Sequence, residues 1–152
     1  MLYLRISLFL VWTWIVLKMT LSSSPIESTG TEGLYELAKA VVTYVAPTVD
    51  ASWVIAKTFH FVAYAMWAWL LAGLVVGGYL RQWAPWQVWL CVGLLILMAG
   101  AQEGLQNLVP TRHPSVRDVC INIAGGALAL GTRPLLVGFW SVPTGCPAEE
   151  TQ

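Results

Sequence analysis

The sequence predicts an all-α integral membrane bundle of four transmembrane helices, with a short interfacial amphipathic helix in the first loop. Three observations carry this reading. First, 57% of the residues are hydrophobic and 11% are charged, against roughly 25% charged in a soluble domain. That leaves too little polar surface to coat a water-facing shell, and the mean hydropathy of +0.67 agrees. Second, four stretches are close to or above the ~20 mostly apolar residues that cross a hydrocarbon core. Third, the nine Trp and five Tyr suit a chain whose aromatic rings gather at the membrane–water boundary.

The first span covers about residues 3–21, interrupted only by Arg5 and Lys18 near its ends, where long basic side chains snorkel to the headgroups. A cleaved signal peptide is the lesser reading, because no small-x-small site follows and Lys18 breaks its end. Residues 22–51 form the one long connection. Its Ser-, Thr- and Gly-rich start reads as loop. From Leu34 the pattern changes: Leu34, Leu37, Ala38, Val41 and Val45 share one helical face, with Glu36, Lys39 and Thr43 opposite. A short helix of this kind beside a span lies in the interface plane, and Pro47 stops it. The second span covers 52–80, the third 86–108 and the fourth 116–140. Pro134 is expected to end or kink the last of these. Residues 52–140 thus make a three-helix core and 141–152 a polar tail.

Several classes are excluded. Zero net charge with no basic stripe points away from nucleic acid. Cys91, Cys120 and Cys146 form no framework; the first two read as small buried hydrophobes and the third as an exposed thiol. A count of basic residues near span ends opposes a cytoplasmic N-terminus, with Arg5, Arg81 and Arg133 inside against Lys18, Lys39, Lys57, Arg112 and Arg117 outside; setting aside Lys57, Arg112 and Arg117, which have acidic residues nearby, leaves a near tie.

The polar residues gather at one end of the bundle. Alternating helices bring together the start of the second span (Lys57, His60, Tyr64), the end of the third (Glu103, Gln106, Asn107) and the start of the fourth (Arg112, His113, Arg117, Asp118, Asn122). Spacings of three and four put Lys57, His60 and Tyr64 on one face, and likewise Glu103 with Gln106 and Asp118 with Asn122. The last stripe continues as Gly125, Gly126 and Ala129, small residues that let helix backbones approach in lipid. The other end holds little beyond Arg81, Gln82 and Arg133. Ionisable groups in spans cost roughly 2.5–3.5 kcal/mol each at the bilayer centre and normally face the interior and pair.

The bland readings are a snorkelling Arg117, a solvated His113 beside Pro114, a packing Tyr64 and a salt-bridge cluster that merely pins the helices. His60 with Glu103 and Asp118 makes a donor set of the open catalytic kind. No H-E-x-x-H or paired-cysteine spacing accompanies it and Lys57 repels a cation, so neither a metal nor any other cofactor is expected. Pro110 and Pro114 stiffen the turn that carries Arg112, whose planar guanidinium suits carboxylate or phosphate, and the helix that follows offers free N–H groups to an anion.

Residues 57–131 resemble the VanZ-like family of small membrane proteins. The likeness rests on K-x-x-H opening a span (Lys57, His60), followed by Tyr64; on E-x-x-Q ending the next (Glu103, Gln106); and on V-P-x-R (Val109, Pro110, Arg112) followed by Asp118, Asn122 and Gly125. One departure is Ala56, where the family often has Asp. The resemblance implies a four-helix plasma-membrane protein of the cell envelope, in a family whose named member is linked to low-level teicoplanin resistance. Because glycopeptides act outside the cell, it also implies an outward-facing site with cytoplasmic termini.

Three functions fit these residues. In the first, the pocket binds membrane lipid, specifically an anionic lipid-linked envelope precursor, through Lys57, His60, Tyr64, Glu103, Gln106, Arg112, Asp118 and Asn122. Here Lys57, Arg112 and Arg117 hold the headgroup, and Glu103 and Asp118 orient those cations. In the second, the protein is an enzyme acting on a lipid phosphate or pyrophosphate, with His60 as acid or base, Glu103 or Asp118 as its orienting partner and Arg112 as charge stabiliser. In the third, the cluster is structural and has no ligand.

Overall fold

The computed structural model describes residues 2–22, 32–76, 83–110 and 114–140, the last seven as helix backbone alone. Among these are five helices and no strand: α1 (Leu2–Leu21), α2 (Glu32–Val45), α3 (Ala51–Val75), α4 (Pro85–Gln106) and α5 (Val116–Trp140). Three of them, α1, α3 and α4, are long and apolar enough to cross a bilayer. α5 is as long as α3, and its described side chains, up to Arg133, include Arg117, Asp118 and Arg133. Its helix runs through Pro134 to Trp140; the expected stop at Pro134 is absent, and the chain stays helical past it.

Local chemistry sets the helix ends. Asp50 caps α3, its carboxylate accepting from the Ser52 N–H at 2.9 Å and the Trp53 N–H at 3.3 Å, as short acidic side chains do for the orphan donors of a first turn. Pro85 opens α4, where its missing N–H costs nothing. The Gln87 side chain accepts from the Ala84 N–H at 3.0 Å and donates to the Val75 carbonyl at 3.0 Å. One glutamine therefore starts α4 and terminates α3.

α3 is the central helix and packs against all four others. Its residues Tyr64, Trp67, Ala68, Leu71 and Ala72 recur at helical spacing and are buried together with Cys91, Leu95 and Ala99 of α4 and Ala129 and Leu130 of α5. α1 is apolar all round and buries only Val16 and Thr20. It is held by indole hydrogen bonds: Trp12 donates to the Ala63 carbonyl and Trp67 to Thr13 Oγ1, each at 3.0 Å. Outward faces are equally apolar, with Leu4, Leu10, Trp14, Trp89 and Leu97 all exposed; in water this would be costly, whereas lipid accepts it. α2 follows the amphipathic pattern expected of it and buries no residue. Cys91 is buried as expected, whereas Cys120 is exposed, because it points away from the α3-facing stripe of α5.

That stripe is the tightest seam in the molecule. A methyl group added at Gly125 would collide with the Phe61 carbonyl, standing 2.9 Å from its carbon, while one at Gly126 would meet only the Leu95 side-chain end. Backbone cannot yield as a side-chain tip can. Gly125→Ala is therefore expected to destabilise the bundle by about 1–3 kcal/mol, and Gly126→Ala by distinctly less. Thermal unfolding in detergent checks the order, and equal effects would contradict a rigid α3–α5 seam.

Candidate functional site

Three helix ends converge on one polar cluster. α3 supplies Lys57, His60 and Tyr64 from successive turns of one face. α4 supplies Gln102, Glu103 and Gln106, all buried. α5 enters beside them with Asp118 and Asn122, also buried. The contacts form a ladder along the α3–α5 seam. Outermost, the Lys57 ammonium pairs with Asp118. One turn deeper, His60 Nδ1 lies 3.2 Å from Asn122 Oδ1. Deeper again, the Tyr64 hydroxyl donates to Gln102 Oε1 and lies 3.2 Å from the Met98 carbonyl.

Glu103 organises the α4–α5 corner. One carboxylate oxygen accepts from the Ser115 N–H at 2.9 Å and the other from Gln106 Nε2 at 3.3 Å. Ser115 is the residue before α5, and its carbonyl takes the Asp118 N–H at 2.9 Å. A buried carboxylate of α4 thus fixes where α5 begins, and so where Asp118 stands. Glu103 is only 4% exposed, so an oxygen without a donor would be costly.

Lys57, His60, Tyr64, Glu103, Gln106, Asp118 and Asn122 come together as the sequence spacing indicated. Arg112 and His113, with Arg81 and Gln82 at the other end, lie outside the described residues. Arg117 is exposed, in keeping with snorkelling. Gln102 was missed. Its signal was legible: a glutamine one turn before Gln106 in an otherwise apolar span. The hydrogen-bond partner of His60 is the Asn122 amide rather than Glu103 or Asp118. Yet His60, Glu103 and Asp118 present ligand atoms within 4.8 Å of one another, and the lysine expected to repel a cation there is paired with Asp118.

The sequence showed too little at the opposite end. Arg133 is 2% exposed and donates to the Ala72 carbonyl at 3.1 Å. Its guanidinium lies 5.8 Å from the Trp69 ring centre and 5.5 Å from that of Trp83. Arg5 reaches the neighbouring Gly73 carbonyl at 3.4 Å. Both arginines donate to last-turn carbonyls of α3, Arg133 adding to the bond that the Ala72 carbonyl already takes from the Val76 N–H, so Arg133 is an internal strut and not a marker of membrane orientation.

A cavity of about 500 Å³ opens beside the ladder, between α1, α2, α3 and α4. Its walls are apolar over most of their length, among them Val16 and Met19 of α1, Leu34 and Ala38 of α2, and Ile55 and Phe59 of α3. The polar side chains are concentrated where His60, Tyr64, Gln102 and Gln106 line it.

The VanZ/LLP1 family model matches residues 5–137. The chain belongs to the VanZ/LLP1 family. The match reaches well beyond residues 57–131 and takes in α1 and α2, so the helices that wall the cavity are part of the family unit. No curated protein and no solved structure matches the chain.

The Lys57–Asp118 pair has side chains that are 20% and 11% exposed, so each charge depends on the other. Lys57→Met is expected to strand the Asp118 carboxylate and cost about 2–4 kcal/mol. Lys57→Met combined with Asp118→Leu should recover most of that loss. Unfolding midpoints in detergent with EDTA test this, and a double variant as unstable as the single one would contradict the pairing argument.

Proposed function

We infer that this VanZ/LLP1 protein binds a membrane lipid, its hydrocarbon in the apolar cavity and its polar headgroup beside His60, Tyr64, Gln102 and Gln106. The supporting observation is the cavity itself. Its volume lies in the range of small-molecule sites, and it joins apolar walls to a few convergent polar groups. A ligand that fits must be amphiphilic. α2, an amphipathic helix with Leu34, Leu37 and Val41 exposed, supplies one wall from the interface, the level at which a lipid enters.

In this reading α5 is a fourth span. Its charged and amide side chains are accommodated because Asp118 and Arg133 have partners inside the bundle. The protein is then a multi-pass plasma-membrane protein with the cluster outside and both termini in the cytoplasm. The ligand is an anionic lipid-linked envelope component, held by Lys57 and by Arg112, which precedes α5 in the sequence. Occupancy of such a component would alter its exposure to teicoplanin.

Ala56→Trp places an indole in the cavity from an exposed position on α3. It is expected to weaken uptake of a polyprenyl phosphate and of the matching polyprenol at least tenfold in nanodiscs. Arg112→Ala should weaken the phosphate alone, and Arg81→Ala neither. Cells carrying Ala56→Trp should then have the teicoplanin susceptibility of cells lacking the protein. Wild-type uptake by Ala56→Trp would remove the cavity as the lipid site; equal losses from Arg81→Ala and Arg112→Ala would remove the headgroup assignment.

A further inference from the structure

The polar cluster beside the cavity holds one lysine against two carboxylates, Glu103 and Asp118, with Arg117 exposed outside it. Lys57 is already committed to Asp118. This leaves an excess of negative charge where the proposed ligand brings more. Two further features stand beside it. The ligand atoms of His60, Glu103 and Asp118 lie within 4.8 Å of one another. The Asn122 amide, in a residue fully shielded from solvent, turns its oxygen toward His60 and leaves its Nδ2 donor buried without a hydrogen-bond partner.

From these we propose that His60, Glu103 and Asp118 bind a divalent first-row cation, Zn2+ or Mn2+, with the Asn122 oxygen orienting the His60 ring. One imidazole and two carboxylates make a mixed N/O set, which suits these ions better than Ca2+ or Mg2+ with their all-oxygen shells. With the His60 Nδ1 proton directed at the Asn122 oxygen, Nε2 holds the lone pair a metal needs, and the Asn122 contact orients the ring as outer partners of metal-bound histidines do. In a tetrahedral site with bonds near 2.1 Å the donor atoms stand roughly 3.4 Å apart. From a spacing of at most 4.8 Å the donor atoms would reach that geometry by moving about an ångström. Three protein ligands leave an open position. An oxygen from water or from a phosphate can take that position.

Lys57 has a defined part in this arrangement. A carboxylate has two oxygens and about four lone-pair directions, so Asp118 can keep the lysine on one and face the ion with the other. The lysine lowers the affinity without abolishing it. The ion site itself is independent of the lipid reading. Only its role as a bridge to an anionic headgroup rests on that reading, since the cation reverses the sign of the local charge.

The test uses the full chain, stripped with EDTA and exchanged into neutral detergent, titrated with Zn2+ by calorimetry and with Mn2+ by electron paramagnetic resonance. One ion per chain is expected. His60→Gln, Glu103→Gln and Asp118→Asn should each weaken binding at least tenfold with the fold retained in circular dichroism. Lys57→Met should bind more tightly than wild type, the opposite of its effect on any site for a bare anion. Should Asp118→Asn fail to fold, His60→Gln and Lys57→Met decide the matter. Absence of saturable binding, or wild-type affinity in His60→Gln, overturns the site. Polyprenyl phosphate uptake is then measured with and without EDTA. Loss of uptake with EDTA, restored by Zn2+, supports the bridge; uptake indifferent to EDTA overturns the bridge while leaving both the ion site and the lipid cavity standing.

Discussion

Gly125 lets the backbone of α5 lie against the Phe61 carbonyl of α3, and the polar cluster depends on that approach. Lys57 and His60 lie four residues and one residue before Phe61, and Asp118 and Asn122 lie seven and three residues before Gly125. Once the backbones touch at that point, the two faces run side by side with the side chains in reach of each other. A larger residue would hold the helices apart and lengthen every rung of the ladder. In lipid no hydrophobic force draws helices together, so close packing and hydrogen bonds must supply the association. The glycine provides the first and thereby permits the second.

The polar groups of the bundle obey one constraint at both ends: a group removed from water must find its partner inside the protein. At one end the Glu103 carboxylate takes the Ser115 N–H and the Gln106 amide. At the other, Arg133, Arg5 and Gln87 take the carbonyls of Ala72, Gly73 and Val75. The two ends differ in what they leave over. The second mainly satisfies the last turn of α3. The first adds a triad of donor atoms and a cavity wall that includes His60. That surplus separates a candidate site from a strut.

α2 closes one side of the cavity beside the cluster. Its apolar residues are exposed, yet Leu34, Tyr35 and Ala38 complete the cavity wall. A helix that buries nothing has few contacts opposing its displacement. The pocket therefore has one wall on a helix with no buried residue, while its other walls belong to α1, α3 and α4.

Much of this was legible in the sequence because both membrane helices and their polar faces are written in local spacing. Apolar runs of span length, the 34–45 amphipathic pattern ended by Pro47, and the Lys57/His60/Tyr64 and Asp118/Asn122 stripes depend only on 3.6-residue periodicity. The small-residue stripe through Gly125 likewise announced which face would pack. Partner choice, in contrast, depends on the rotation and depth of each helix against the others, which no local pattern specifies. His60 meets an amide rather than a carboxylate, Gln102 joins through Tyr64, Cys120 faces outward while Cys91 is buried, and Arg133 is folded inward between two Trp rings. The cavity is also a purely tertiary product, since it is the space left where four helices diverge. Sequence alone determined which residues had to be shielded from lipid; the packing of α3 against α5 decided what each of them touches.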